Sequence, residues 1–265
     1  MPAPHVNPLP LMLIGGAALA SVSAGWAGLA RLRGKDAPLR WVQGVAVTLS
    51  AVALVAHMAE RGNWLPMRDN FDALLCLALF AIALPLHVGL VGKRFGWLDA
   101  TLPVVAAVLL VAAGVFGATR PQDYHLDSLW HWVHRVSSYG GAAAFALAAA
   151  GGTAYLVLRQ RLRDHADPLP GLGSLSNLER VTFYAAVTGF ALLTVGLLTG
   201  VWRWRYLGDA AAADTKITLA VAAWVVYLLV LHAPLHPRFR GRAAASLSIA
   251  GFVVMLGVLV TVQFM

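Results

Sequence analysis

Eight runs of predominantly apolar residues, each close to twenty long, dominate this chain. A helix rises 1.5 Å per residue, so about 20 such residues match a hydrocarbon core about 30 Å thick. Within lipid every backbone polar group needs an internal partner, which leaves helices and closed barrels as the only spanning structures. Runs this long and continuous read as helices. The spans are predicted at about 9–30, 41–59, 71–92, 98–118, 133–158, 179–201, 216–233 and 243–264. The expected fold class is therefore an all-α integral membrane protein, a bundle of eight transmembrane helices forming one polytopic domain over residues 1–265. Only 12% of the residues are charged and 59% are hydrophobic, against about 25% charged in a soluble domain.

The net charge of +8 does not point to nucleic acid, because the basic residues lie in short loops between the spans. Thirteen of the 20 Lys and Arg fall in one alternating set of loops: Arg31, Arg33, Lys35, Arg40, Lys93, Arg94, Arg159, Arg161, Arg163, Arg180, Arg238, Arg240 and Arg242. Arg61, Arg68, Arg120, Arg135, Arg203, Arg205 and Lys216 fall in the other. The heavier set is expected on the cytoplasmic side, so both termini face outward. Residues 1–8 carry no basic n-region, and the first apolar run is expected to stay in the membrane. The single cysteine, Cys76, excludes an internal disulfide, a CxxC redox pair and covalent haem attachment through CxxCH.

Smaller signals punctuate the spans. Ser176-Asn-Leu-Glu179 reads as a capping box opening the sixth helix. Asp72 and Asp99 fall in the first turns of the third and fourth helices, where a carboxylate meets the positive end of the dipole. Gly196 and Gly200, with the Gly140/Gly141 and Gly151/Gly152 pairs, offer small surfaces for close packing. Pro85 should kink the third helix just before His87.

The candidate chemistry rests on histidine. His57, His87, His134 and His232 all fall within apolar stretches and near span ends. Imidazole is costly to bury in lipid and is the common protein ligand of haem iron. By the predicted topology His57 and His134 share the outer end at matched depth. They could ligate one iron if the second and fifth helices are neighbours, with His131 one turn from His134 as a substitute or support. His87 and His232 form a second, inner pair about 20 Å away, although snorkelling at the headgroups also accounts for them. Arg61, Arg68, Arg120, Arg135, Arg203 and Arg205 lie in the outer layer, where guanidinium groups suit haem propionates. An aromatic belt accounts for Trp130, Trp202 and Trp204; a flat shelf for a porphyrin edge is the alternative. No carboxylate lies in mid-membrane, and no HExxH, P-loop, GxSxG or dinucleotide fingerprint occurs. Chemistry is thus expected from a bound cofactor, not from an activated side chain.

These residues resemble the cytochrome c assembly (CcsA/CcmC-like) family, and within it the smaller eight-helix HemX/YpjD type. The resemblance runs through Leu54-Val-Ala-His57 with Asn70 after it, Trp132-Val-His134 with Ser137-Ser-Tyr139, and Leu178-Glu-Arg180. It continues through Gly189-Phe-Ala-Leu-Leu-Thr, Thr199-Gly200, Trp224-Val-Val-Tyr227 and Arg238-Phe-Arg-Gly-Arg242. It implies a multi-pass protein of the bacterial inner membrane that binds haem b non-covalently near the outer face. By the likeness His57 and His134 would be the axial ligands, and His232 falls where larger members carry a membrane histidine. Haem, membrane lipid, and other cytochrome c maturation proteins or a tetrapyrrole-pathway enzyme are the implied partners.

The chain departs from the larger members in two ways. Their WGxxWxWD loop is replaced by Trp202-Arg-Trp204-Arg-Tyr-Leu-Gly-Asp209. No counterpart of the synthase's second external histidine is expected after the eighth helix. A complete cytochrome c synthase is therefore not expected, and holding or presenting haem is the leading expectation. A non-enzymatic adaptor regulating tetrapyrrole synthesis and a b-type electron-transfer subunit are the alternatives.

Overall fold

The computed structural model describes residues 8–67, 69–92, 95–117, 129–165, 169, 171–207, 210–232 and 241–264. Among them are eight α-helices and no strand: α1 (Pro8–Leu32), α2 (Leu39–Glu60), α3 (Asn70–Leu90), α4 (Gly96–Ala112), α5 (Leu129–Arg163), α6 (Leu175–Leu207), α7 (Ala210–His232) and α8 (Arg242–Phe264). A single wide π-turn, Ala113–Gly117, continues α4. Seven helices are long and apolar enough to cross a membrane, and Ile217–Leu229 of α7 is a shorter apolar stretch. The protein is a multi-pass membrane protein.

Each predicted span meets one helix. The main departures are α5 and α6, which run past the predicted spans at both ends. At 35 residues α5 is about 52 Å long, well beyond a hydrocarbon core. The apolar count stops where polar and aromatic residues begin, but the backbone ladder continues through Trp130–Trp132 at one end and Arg159–Arg163 at the other. Arg161 and Arg163 fall in the last turn, where a cation meets the negative end of the dipole. The start of α6 also differs from the predicted capping box. The Ser174 hydroxyl accepts the Asn177 N–H at 3.2 Å, so the cap lies two residues before Ser176. Gly173, at φ +78°, supplies the turn that brings the chain into it.

Packing divides into two sets. α1 lies against α2 and α4, and α3 against α2 and α4; α5 lies against α6 and α8, and α7 against α6 and α8. The two sets meet chiefly where α4 and α3 touch α5. Small residues set the closest approaches. A Cβ on Gly141 would lie 3.3 Å from the Gly189 carbonyl oxygen on α6, and one on Gly152 would lie 2.9 Å from the Ala245 carbonyl on α8. The core of the second set is the buried Phe145–Tyr227 stack, with ring centroids 3.3 Å apart. The absence of a side chain at Gly189 and Gly251 makes room for it.

Candidate functional site at the His57 and His134 end

Four helix ends converge here: the last turn of α2, the first turn of α3, the second turn of α5 and the last turns of α6. Asp69 starts the construction. It is the N-cap of α3, its Oδ1 accepting the Asp72 N–H at 2.7 Å, a strongly preferred arrangement for aspartate. Its Oδ2 lies 2.9 Å from His57 Nε2 and 2.9 Å from Arg61 NH1. Arg61 NH1 also donates to Asp72 Oδ2 at 2.5 Å, and Arg61 NH2 donates to the Asn63 and Leu65 carbonyls. One guanidinium therefore folds the α2–α3 connection around two carboxylates. The Phe71 ring packs against His57 with centroids 4.4 Å apart. Across the helix sets, Arg135 NH2 on α5 donates to the Asp69 backbone carbonyl at 2.9 Å, and the Arg135 guanidinium lies 5.7 Å over the Tyr139 ring.

Asp69 and Asp72 are buried. Burial alone would raise the Asp69 pKa. The His57 hydrogen bond, the Asp72 N–H and the charges of His57 and Arg61 outweigh it, and the carboxyl lies below the ordinary carboxylate value. Asp72 Oδ1 and Arg61 Nε are buried without a hydrogen-bond partner among the described residues, and Asp72 Oδ1 stands 3.8 Å from His57 Nε2. His57, Asp69 and Asp72 have metal-ligand chemistry and spacing, but the Arg61 guanidinium already bridges both carboxylates, so the cluster is an ion-pair clasp.

His134 is held differently. Its Nδ1 is 2.8 Å from the Gly196 carbonyl oxygen on α6 and 3.3 Å from Thr199 Oγ1. A carbonyl only accepts, so Nδ1 carries a proton. The glycines seen in the sequence as packing residues seat this ring. A Cβ on Gly200 would lie 3.0 Å from His134 Cε1, and one on Gly196 would lie 2.7 Å from Ser138 Oγ. At the same end Trp130 and Trp202 stack with centroids 6.3 Å apart, both exposed. His131 is half-buried on the preceding turn of α5.

The other candidates are placed as follows. Arg61 is committed to Asp69 and Asp72. Arg68 and Arg120 lie outside the described residues, as do the side chains of Arg203, Trp204 and Arg205, whose backbone belongs to α6. His87 and His232 are both exposed, on α3 and α7, which share no substantial packing; His232 Nδ1 bonds to the Leu228 carbonyl at 2.7 Å. α2 packs mainly on α1 and α3 and not on α5, so the link between His57 and the α5 histidines runs through Asp69 and Arg135. Asp69, Thr199 and the Arg61–Asp72 pair were not singled out from the sequence as part of this site. The available signal was Asp-Asn-Phe-Asp at a helix start, which marks a cap and nothing more.

Toward a haem, the described residues at this end offer the right side-chain types, histidines and guanidinium groups, but His57 Nε2 is held by Asp69, Arg61 by Asp69 and Asp72, and Arg135 by the Asp69 carbonyl.

The sequence matches the family described as Cytochrome C assembly protein over residues 45–265. It is similar to the inner membrane protein YpjD of Escherichia coli (strain K12), at 29% identity over 80% of this chain and 82% of that protein. It is equally similar, at 29% identity over 80% of this chain, to the cytochrome c biogenesis protein CcsA of Microcystis aeruginosa, of which it covers 64%. A CcsA of Prochlorococcus marinus (strain MIT 9313) is 29% identical over 69% of this chain and 58% of the relative. With most of its length matched, from within α2 to its last residue, the chain belongs to the cytochrome c assembly protein family.

Proposed function

We propose that this chain holds or presents haem b at the outer face of the bacterial inner membrane during cytochrome c assembly. It would cross the membrane eight times with both termini outside, a reading supported by the loop asymmetry of lysine and arginine. His57 and His134 would be the axial ligands, and Arg135 would meet a propionate. The observation that supports the reading is the His134 Nδ1–Gly196 carbonyl bond, which orients the ring in a seat that a Cβ at position 200 would crowd. Haem supplies an iron centre with two axial positions for imidazole and two carboxylates for guanidinium. The protein's part is to bind, orient and release, with no step of bond chemistry assigned to its side chains.

The test is the absorption spectrum and pyridine haemochrome of the chain purified in mild detergent, beside His57→Ala and His134→Ala. A Soret band at about one haem per chain, lost in both variants, is the expected result. No band after added hemin would remove the reading.

A further inference from the structure

The Arg61 bridge makes the His57 cluster a clasp and leaves it unfinished. Arg61 NH1 takes Oδ2 of both carboxylates, at 2.9 Å from Asp69 and 2.5 Å from Asp72. Asp72 Oδ1 is left over: the residue is 0% exposed, and this oxygen has no hydrogen-bond partner. It stands 3.8 Å from His57 Nε2, and Asp69 Oδ2 lies 2.9 Å from the same nitrogen. A buried carboxylate oxygen without a donor is costly, so the arrangement suits a positive occupant between these atoms. The charges agree: two carboxylates face one guanidinium, and a neutral imidazole leaves the cluster short of positive charge. Geometry then selects the kind of cation. Around a tetrahedral Zn²⁺, nitrogen and carboxylate donors stand about 2.0–2.1 Å from the metal and therefore about 3.3 Å from one another. The two distances from His57 Nε2 bracket that spacing, and the three donor atoms all lie within 4.8 Å of one another. One imidazole and two carboxylates suit Zn²⁺, whereas Mg²⁺ and Ca²⁺ take oxygen donors. The His57 side chain is 22% exposed, so water can supply the fourth ligand.

We propose that His57 Nε2, Asp69 Oδ2 and Asp72 Oδ1 bind a divalent transition cation of the Zn²⁺ class, with Arg61 orienting both carboxylates from behind. The cation takes the place of the proton in the Nε2–Asp69 hydrogen bond, and that proton leaves to water. Asp69 keeps Arg61 on the same oxygen, since a carboxylate offers about four lone-pair sites, and keeps Oδ1 on the Asp72 N–H. The bound metal ties the last turn of α2 to the start of α3 through three ligands. The Arg61 charge beside it lowers the affinity and keeps the metal exchangeable. This inference does not rest on the haem reading. Both call on His57 Nε2, so Zn²⁺ and haem exclude each other at that nitrogen.

The experiment is a Co²⁺ titration of the haem-free full chain in mild detergent, with any affinity tag removed, read by d–d absorption and completed by Zn²⁺ displacement. The expected result is about one Co²⁺ per chain with the intense bands of a four-coordinate site, displaced by Zn²⁺ and not by excess Mg²⁺. His57→Ala and Asp72→Asn should each weaken binding about tenfold or more. His87→Ala, at an exposed position on α3, should leave it unchanged. A second measurement needs no variant and decides the matter if the substituted chains fail to fold. Diethyl pyrocarbonate acylates uncoordinated imidazole, so Zn²⁺ should slow modification of His57 several-fold and leave His87 unaffected, followed peptide by peptide by mass spectrometry. No bound Co²⁺, or binding that survives both His57→Ala and Asp72→Asn, overturns the proposal. So does modification of His57 at one rate with and without Zn²⁺. Each of these failures leaves the haem reading as it stood, because no haem is present in either measurement.

Discussion

The first four helices carry two buried ion-pair clusters, one at each end, and they are built to different purposes. At one end Arg40 on α2 bonds Asp99 on α4 through both terminal guanidinium nitrogens, at 2.9 and 3.3 Å. It also donates to Gln43 Oε1 at 2.7 Å and to the Pro85 carbonyl at 3.0 Å, while Gln43 Nε2 donates to Asp99 at 3.0 Å. The guanidinium lies where a side chain at Gly89 would be, which requires glycine there. None of the buried polar atoms of these residues is left without a partner. At the other end the Arg61 clasp has one more carboxylate, a histidine, and two unpartnered buried atoms. A closed network fixes three helices in register; an open one retains acceptor capacity. On the function proposed above, the His57 end is where something would be exchanged and the Arg40 end is scaffold.

The difference has its largest expected consequence in stability. Asp99→Asn leaves the part-buried Arg40 beside neutral partners, and losing its charge-assisted hydrogen bonds costs about 2 kcal/mol. The matching change at the other end, Asp72→Asn, leaves Arg61 with Asp69 and two carbonyls and should cost about 1 kcal/mol. Thermal unfolding in detergent should therefore show the larger fall in Tm for Asp99→Asn, with hemin affinity per folded protein unchanged. Equal losses at both ends would dissolve the distinction.

These clusters also show what could be read in the sequence and what could not. Eight helices were legible because span length follows from membrane thickness, a constraint each segment meets alone. His57 and His134 were legible as candidates because their residue type and depth are local properties. Asp72 and Asp99 were read only as partners of their own helix dipoles, and the structure makes both members of cross-helix networks. Arg40 meets Asp99 across 59 positions and Arg135 meets Asp69 across 66. Such pairings depend on which helices are neighbours, and a hydrophobic run carries no information about its neighbour. The glycines near position 200 were recognised as small, but the ring they seat lies on another helix. The α2–α5 adjacency on which a shared iron was made to depend is replaced by the Asp69–Arg135 link.

A smaller effect separates seating from general packing along α5 and α6. Gly200→Ala brings a Cβ to 3.0 Å from His134 Cε1, whereas Gly140→Ala meets Leu192 Cδ1 at an ordinary 3.4 Å. Overpacking costs about 1 kcal/mol or more, and alanine is about 1 kcal/mol the better helix former. The two terms offset at Gly200, leaving Tm little changed, while Gly140→Ala should raise it. Hemin binding is the discriminating readout: it should weaken several-fold in Gly200→Ala and stay at the wild-type value in Gly140→Ala. Loss in both would mean that helix spacing matters here, and not the seat of His134.

The smallest effect is confined to acid and bears on the open clasp alone. The Asp69 carboxyl ionises below the ordinary carboxylate value in the folded protein, so its ionised form is favoured by folding. Its contribution is fully present above the unfolded pKa of about 4 and is lost as pH falls through the lower folded value. Unfolding midpoints measured from pH 6 down to pH 3 should therefore fall more steeply in the wild type than in Asp69→Asn, and the two curves should run parallel above about pH 5. Parallel curves through the whole range would mean that Asp69 titrates as it does in the unfolded chain. The hydrogen bonds from His57 and the Asp72 N–H would then not be holding its charge, and the clasp would owe its geometry to the α3 cap and the packing of Phe71.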